Sequence, residues 1–521
     1  MARQLGLRKI SPDAYSPVPL LDPFPSAATF DSMDGHPWEH PFLTADNIGR
    51  FRRYSEAIWQ VAADRDRGAP LDIGFNVNMA QTAYLWAKMG RSLGANTTVY
   101  LHAGDGTALS RPEWEEFDGE YPDVMDGPGF LAAHTVPVAV PVETVPLSND
   151  GLSADVYHFR NGHRGPLLRR LAATPGLRIE PFLAVSGIDT YFKWSAALTR
   201  HDVLVAASQP IPAYLSGRPY CIFVVGGDLQ IDVGRGGPHG AAMSIVFAAS
   251  RFILLSNPHT LGHCRRLELI NALYLPYPIN DDIYSPGPGQ ARAEWQSRFG
   301  GKTFFLSTAR IDKAVKGNST DLWQALTDVC RERPDVRFVF LAWGHTADEL
   351  RTAVSGNPVL KDKFIFLPPV GKKRLIDYYR SCDAVIDQFV YGYYGATALE
   401  AAAVGKPVVM RIRPEHYGPL YAGEVAPVCN AATPAEVAKA VSLLADQPDL
   451  RAEHGRRMRE WLVRNHGKEV AGRRLLAVLR LTADRAAIPP GLDNPLLDVE
   501  SEAEVRYHNA CRQVRAGASP G

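Results

Sequence analysis

The chain reads as an α/β protein built on parallel sheets, and two stretches predict this. Ala384–Phe389 is a short apolar run that suits a buried strand. A glycine-flanked loop, Tyr391-Gly-Tyr-Tyr-Gly395, leads into an Ala- and Leu-rich helical run from Thr397 to Val404. Gly405-Lys406-Pro407 stops that helix, and Pro407–Ile412 is a second apolar strand. Leu71–Val77, Asn78–Leu93 and Thr97–His102 show the same strand–helix–strand order in the first half of the chain. Parallel neighbours need such a crossover, and 521 residues accommodate two domains of this kind with extensions at both ends.

Composition narrows the function classes. Hydrophobic content of 46% with 21% charged residues is that of an ordinary soluble globular protein. Basic and acidic residues balance at 56 each, so no global field steers a polyanion, which argues against nucleic acid as the main partner. Six cysteines are scattered without a C-x-x-C pair and read as reduced thiols. The N-terminus has no apolar signal-like segment, and no apolar run reaches the ~18 residues of a membrane span. The expectation is a cytoplasmic protein without a transmembrane segment; peripheral membrane contact and oligomeric state stay open.

Taken in order, residues 1–70 form an extension, Pro-rich over its first forty positions. Within it Asp46–Arg65 reads as an amphipathic helix, with Ile48, Phe51, Tyr54, Ile58 and Val61 on one face. The first domain spans 71–286. Its first turn, Asn76-Val77-Asn78-Met79, lacks the glycines that let a backbone approach a pyrophosphate. Gly104–Asp150 reads as an irregular insertion whose acidic residues form a solvated face. Further strands are expected at Asp155–Phe159, which contains His158, and at Arg178–Val185, His201–Ala206, Tyr220–Val225, Arg251–Ser256 and Leu273–Pro276. Gly226-Gly227-Asp228 ends the fourth of these, and Asp228 is read either as an acceptor contact or as a turn residue. Asp281-Asp282 reads as loop rather than metal site.

The second domain spans 291–465. Strands are expected at Thr303–Ala309, Val336–Trp343 and Phe364–Pro368 before the unit already described. Pro434–Ala445 and Leu450–Asn465 read as helices, the first with Thr433 as N-cap and Pro434 at its first position. A helix over 466–482 is expected to cross back to the first domain, and 483–521 is a tail. Arg310 and Lys316 follow the Thr303–Ala309 strand, where two cations can neutralise a diphosphate. Thr397-x-x-Glu400 fits a capping box; a ligand role for Glu400 is the alternative, and spacing alone does not separate the two.

Residues 384–412 resemble the signature region of family-four GT-B glycosyltransferases, a retaining, nucleotide-sugar-dependent group. That signature has two glutamates separated by seven residues, then Ala, a Gly and Pro-Val. Glu400-Ala401, Gly405 and Pro407-Val408 match its second half, whereas Gly392 stands at the first glutamate. The resemblance covers roughly residues 70 to 480 and is strongest between about 300 and 412. It implies a GT-B fold, two Rossmann-like domains facing across a cleft. It also implies that Glu400 binds the donor ribose and that Arg310 and Lys316 contact the diphosphate, all three serving catalysis. Gly392, Tyr394, Gly395, Ala396, Thr397 and Ala398 then belong to the donor-side loop and helix start. Gly344, Val370 and Gly371 complete the donor side, with the nucleobase beside the Val370-Gly371 turn and read by backbone groups. Asn78, His158 and Asp228 are the acceptor-side candidates. No metal and no cofactor beyond the nucleoside diphosphate sugar are implied, and the acceptor is a hydroxyl group on a glycan, lipid-linked intermediate or small metabolite. The departures at Gly392 and Gly226 keep an alternative open: a catalytically silent GT-B module that binds a sugar nucleotide or a protein partner.

Overall fold

The computed structural model describes residues 40–65, 69–102, 106–145, 177, 182, 185, 188–233, 237–312, 316 and 320–508. His158 with the Asp155–Phe159 stretch, the first 39 residues and Cys511 lie outside them, as does all of Arg178–Val185 except Phe182 and Val185.

Two parallel sheets carry the fold. The first contains β1 (Asp72–Asn76), β2 (Asn96–His102), β3 (Val142–Val145), β4 (Val203–Ala206), β5 (Tyr220–Phe223), β6 (Ile253–Leu255) and β7 (Ala272–Tyr274), in the order β3-β2-β1-β4-β5-β6-β7. The second contains β8 (Thr303–Ser307), β9 (Val336–Leu341), β10 (Phe364–Leu367), β11 (Ala384–Ile386), β12 (Val408–Met410) and β13 (Cys429–Asn430), ordered β10-β9-β8-β11-β12-β13. Strands such as β4, β5 and β11 are buried along their whole length, because helices cover both faces; hence their continuous apolar runs. Strand order reverses once in each sheet, between β1 and β4 and between β8 and β11. Crevices at such switch points are where open α/β sheets bind ligands. The two-domain GT-B architecture expected from the sequence is the architecture found.

The insertion is where the expectation fails. Of residues 104–150, the described part, 106–145, is not irregular: it holds helices Pro112–Glu116 and Gly127–Ala133, and β3 extends the first sheet by pairing with β2. Helices of one to two turns are too short to show a period. Their start signals were nonetheless present, with Pro112 and Pro128 in the first turns and Asp126 capping Gly129 N–H at 2.8 Å.

Both extensions fasten the domains. Helix Ala45–Ala63 buries Ile48, Phe51, Tyr54 and Ile58 and packs on helix Arg473–Ala483 and on helix Pro414–Leu420 of the second domain. Arg52 Nε donates to Pro419 O at 3.1 Å, and Tyr274 N–H to Ser55 Oγ at 2.9 Å. The described part of the tail packs on the first domain and the N-terminal helix: Arg50 pairs with Asp493 and Asp498, and buried Arg265 pairs with buried Glu504 at 2.6 Å. Helix Arg473–Ala483 contacts β4 and β5 and so returns the chain to the first domain. Asp281 accepts Lys468 N–H at 2.8 Å and Asp282 pairs with Lys468 Nζ, so this acidic pair anchors the crossing.

Candidate functional site

The second switch point gathers the expected cations and carboxylate. Helix Ala396–Ala403 starts at Gly395, which caps it without a side-chain bond, and ends before Gly405 at φ +79°. Glu400 therefore does not close its own helix start. The capping box forms instead at Thr433–Glu436. Both stretches read T-x-x-E; only the second has Thr at the N-cap position, because Pro434 sets the first helical residue there.

Glu400 is 1% exposed, and a buried carboxylate must be paired. Lys372 Nζ donates to Oε1 at 2.5 Å and Tyr379 O–H to Oε2 at 3.1 Å. Thr308, just beyond β8, shares a hydrogen bond with the Tyr379 hydroxyl at 3.1 Å and donates to Thr397 Oγ1 at 3.3 Å. A carboxylate offers about four lone-pair sites, so two remain for a ligand.

The loops after β8 and β11 are stitched together by Lys316. Its Nζ donates to Gln388 Oε1 at 3.2 Å, and its carbonyl accepts Phe389 N–H at 2.8 Å. Gln388 Nε2 in turn donates to Tyr393 O. The Arg310 side chain, 36% exposed, lies 3.5 Å from Asp312. Gly344, at φ +117°, leaves room for that arginine, since an added Cβ would sit 2.7 Å from Arg310 Cγ. Gly392 is equally constrained: φ is +74°, and a Cβ would lie 2.9 Å from Arg413 Cγ. A glutamate fits here neither by backbone nor by space.

Asp387, which sequence reasoning passed over, lies directly beneath the donor-side loop. It is 1% exposed, and the Ala398 N–H at the helix start lies near enough to favour its charged form. Its Oδ2 is buried and finds no partner among the described residues. Burial pushes its pKa up to about 6, and the nearby Lys316 opposes that rise. The signal was an acid at the end of the apolar run AVID. Tyr394 is buried on the rings of Tyr417 and Trp461; its N–H donates to Tyr417 Oη at 2.9 Å, while Asn257 of the first domain donates to its carbonyl at 3.3 Å.

The insertion bears on two expectations. Part of the backbone around the Val370-Gly371 turn is engaged by it: Gly371 N–H donates to Gly119 O at 3.0 Å, Tyr121 N–H to Pro369 O at 2.9 Å and Lys373 N–H to Phe117 O at 3.3 Å. Gly371 is required there because a Cβ would collide with the Phe117 carbonyl. Nor are the insertion's acids all a solvated face. Glu115 is 3% exposed, and burial pushes its pKa up to about 8. Glu116 accepts from Lys88 at 2.6 Å and Tyr84 at 3.0 Å and pairs with Lys373 at 3.2 Å. These cations lie far away in sequence, which is why charge density alone misled.

The two described acceptor-side candidates, Asn78 and Asp228, are bound to their own chain. Asn78 accepts Tyr84 N–H at 2.9 Å and donates to Ser110 O at 2.9 Å and Gln81 Oε1 at 3.1 Å. Asp228 accepts the N–H groups of Gly226 and Leu229, both at 3.0 Å, as a turn residue does. Burial raises its pKa to about 6. No group of three or more His, Cys, Asp or Glu among the described residues is spaced to hold a metal ion.

Residues 302–447 match the family model of group 1 glycosyl transferases. Over 190 residues the chain is 27% identical to the D-inositol 3-phosphate glycosyltransferase of Streptomyces coelicolor, a match covering 33% of this chain and 40% of that relative. Among solved structures, Anabaena HepE in complex with UDP and glucose superposes with a TM-score of 0.53 at 12% identity, over 78% of this chain and 99% of the other. Sucrose-phosphate synthase from Thermosynechococcus elongatus gives 0.52 at 12% identity, over 80% and 100%. The fold is thus that of the GT-B glycosyltransferases, and the group 1 match falls on the domain that carries Arg310, Lys316 and Glu400.

Proposed function

We propose that this chain is a retaining glycosyltransferase that moves a sugar from a nucleoside diphosphate sugar to a hydroxyl acceptor. The reading is carried by the second switch point, where Lys316 and Glu400 both act on Asp387 directly after β11 and Arg310 follows β8, beside the start of helix Ala396–Ala403. The HepE structure that shares the fold holds UDP and glucose. Glu400 takes the ribose hydroxyls on its two remaining lone-pair sites. The N–H groups of Gly395, Ala396 and Thr397, with the helix dipole behind them, face the diphosphate. Arg310 and Lys316 stabilise the charge that grows on the departing diphosphate as the glycosidic bond breaks. The acceptor hydroxyl attacks from the same face, and its proton passes to the departing phosphate oxygen.

The test is a thermal-shift and calorimetric screen against uridine, guanosine and thymidine diphosphate sugars, followed by transfer assays. One of these should bind and be consumed with the anomeric configuration kept. Binding of none would overturn the reading. A second reading, a silent module that binds a sugar nucleotide without turning it over, is favoured by residues 117–121, whose backbone occupies the Pro369–Lys373 edge. It predicts binding with neither transfer nor donor hydrolysis.

A further inference from the structure

We propose that Asp387 recognises a hydroxyl of the donor sugar, at the switch point where Gly392 leaves no acidic side chain. The proposal rests on the glycosyltransferase reading above and names the residue that would read the sugar. Four observations carry it. Gly392 cannot hold a side chain, because the Arg413 stem fills that space. Asp387 ends β11 at the same switch point, 1% exposed, with Oδ2 buried and unpartnered among the described residues. That oxygen faces the donor-side turn: a Cβ built on Gly395 would lie 3.9 Å from it. Lys316, expected at the diphosphate, is the cation acting on it, while Glu400 on the following helix is the opposing like charge.

A buried acceptor without a donor is unfavourable, and a sugar hydroxyl supplies the missing O–H. The Ala398 N–H also acts on this carboxylate, so the helix start lies beside it. Gln388, fixed between Lys316 and the Tyr393 carbonyl, keeps the strand end in register beside it. Because Asp387 precedes the loop that faces the diphosphate, it discriminates between a free nucleoside diphosphate and the same nucleotide bearing a sugar.

The experiment compares UDP with UDP-glucose, or the GDP or dTDP pair if the screen selects that base, by calorimetry on wild type and Asp387→Asn. Asparagine keeps an acceptor for Ala398 N–H but loses the charged one for the sugar. The sugar's contribution to affinity should fall by about 10-fold or more, the scale of one hydrogen bond to a charged group, while the free diphosphate binds as before. An unchanged ratio overturns the proposal; loss of both ligands assigns Asp387 to the diphosphate cradle and also overturns it. Deoxy analogues on the wild-type chain give an answer that does not depend on the variant: affinity should drop at a single sugar position, and no drop at any position counts against the idea. If wild type binds no nucleotide at all, the glycosyltransferase reading fails first, which separates the two outcomes.

Discussion

The two switch points occupy equivalent places in the two sheets, yet they are built in opposite ways. After β1 the turn is made without glycine: Val77, Ala80 and Gln81 all have positive φ, at +72°, +46° and +70°. It is held by side chains, with Gln81 Nε2 donating to Leu109 O at 2.7 Å and Arg111 O at 2.6 Å, and Asn78 saturated within its own domain. After β11 the turn is made with Gly392 and Gly395, and polar capacity is left over at Asp387 and Glu400. The lesson is that a strained turn locked by its own chain commits most of its polar groups, Asn76 Oδ1 being the buried exception, whereas the glycine turn has the Asp387 and Glu400 carboxylates beside a helix start. The first switch point is a brace for the insertion; the second is the one we propose as the binding site.

The largest break in that contrast should come from the second site's cations. Arg310→Ala should fold normally, since the side chain is partly exposed, and lower kcat at least ~100-fold, on the scale of losing one preorganised donor. Steady-state turnover with the donor from the screen measures this; normal turnover would remove Arg310 from the mechanism.

Next is the stability left unclaimed at Asp387. Its folded pKa of about 6 lies above the ordinary value of 3.8, so between these pH values the folded chain holds a proton that the unfolded chain releases. The penalty of ionising it in place is absent below pH ~4 and complete above pH ~6. Asp387→Asn should therefore be more stable than wild type at neutral pH, by at most about 3 kcal/mol, with the gain shrinking as pH falls through that window. Urea denaturation at pH 4 and pH 7.5 reads the difference.

The first switch point predicts the opposite sign. Asn78→Ala strands Ser110 O and Tyr84 N–H and should destabilise by about 1–3 kcal/mol. Loosening of residues 107–111 should accompany it in hydrogen exchange. The smallest effect is relief of backbone strain: Ala80 is exposed at φ +46°, so Ala80→Gly should gain about 1 kcal/mol. A loss on that substitution would mean the left-handed conformation carries no penalty here.

How much of this was legible in the sequence follows from how local each signal is. The buried runs of β1, β5, β8 and β11, the Gly405 stop and the Thr433 cap were readable because strand burial, glycine φ and helix capping depend on a few adjacent residues. The placement of Arg310, Lys316 and Glu400 near one sheet edge followed from the parallel order, in which every strand's C-terminal end lies on the same side. What tertiary structure alone decided is the partner of each group. T-x-x-E is a cap at Thr433 and a buried ion pair at Glu400 because Lys372 arrives from another helix. Glu116 of the insertion is sequestered because Lys88 and Lys373 close on it from both domains. Gly392 is glycine because Arg413 passes through the space a side chain would need. Such pairings join residues whose sequence separation carries no period and no spacing, so only the packed chain brings them within hydrogen-bond range.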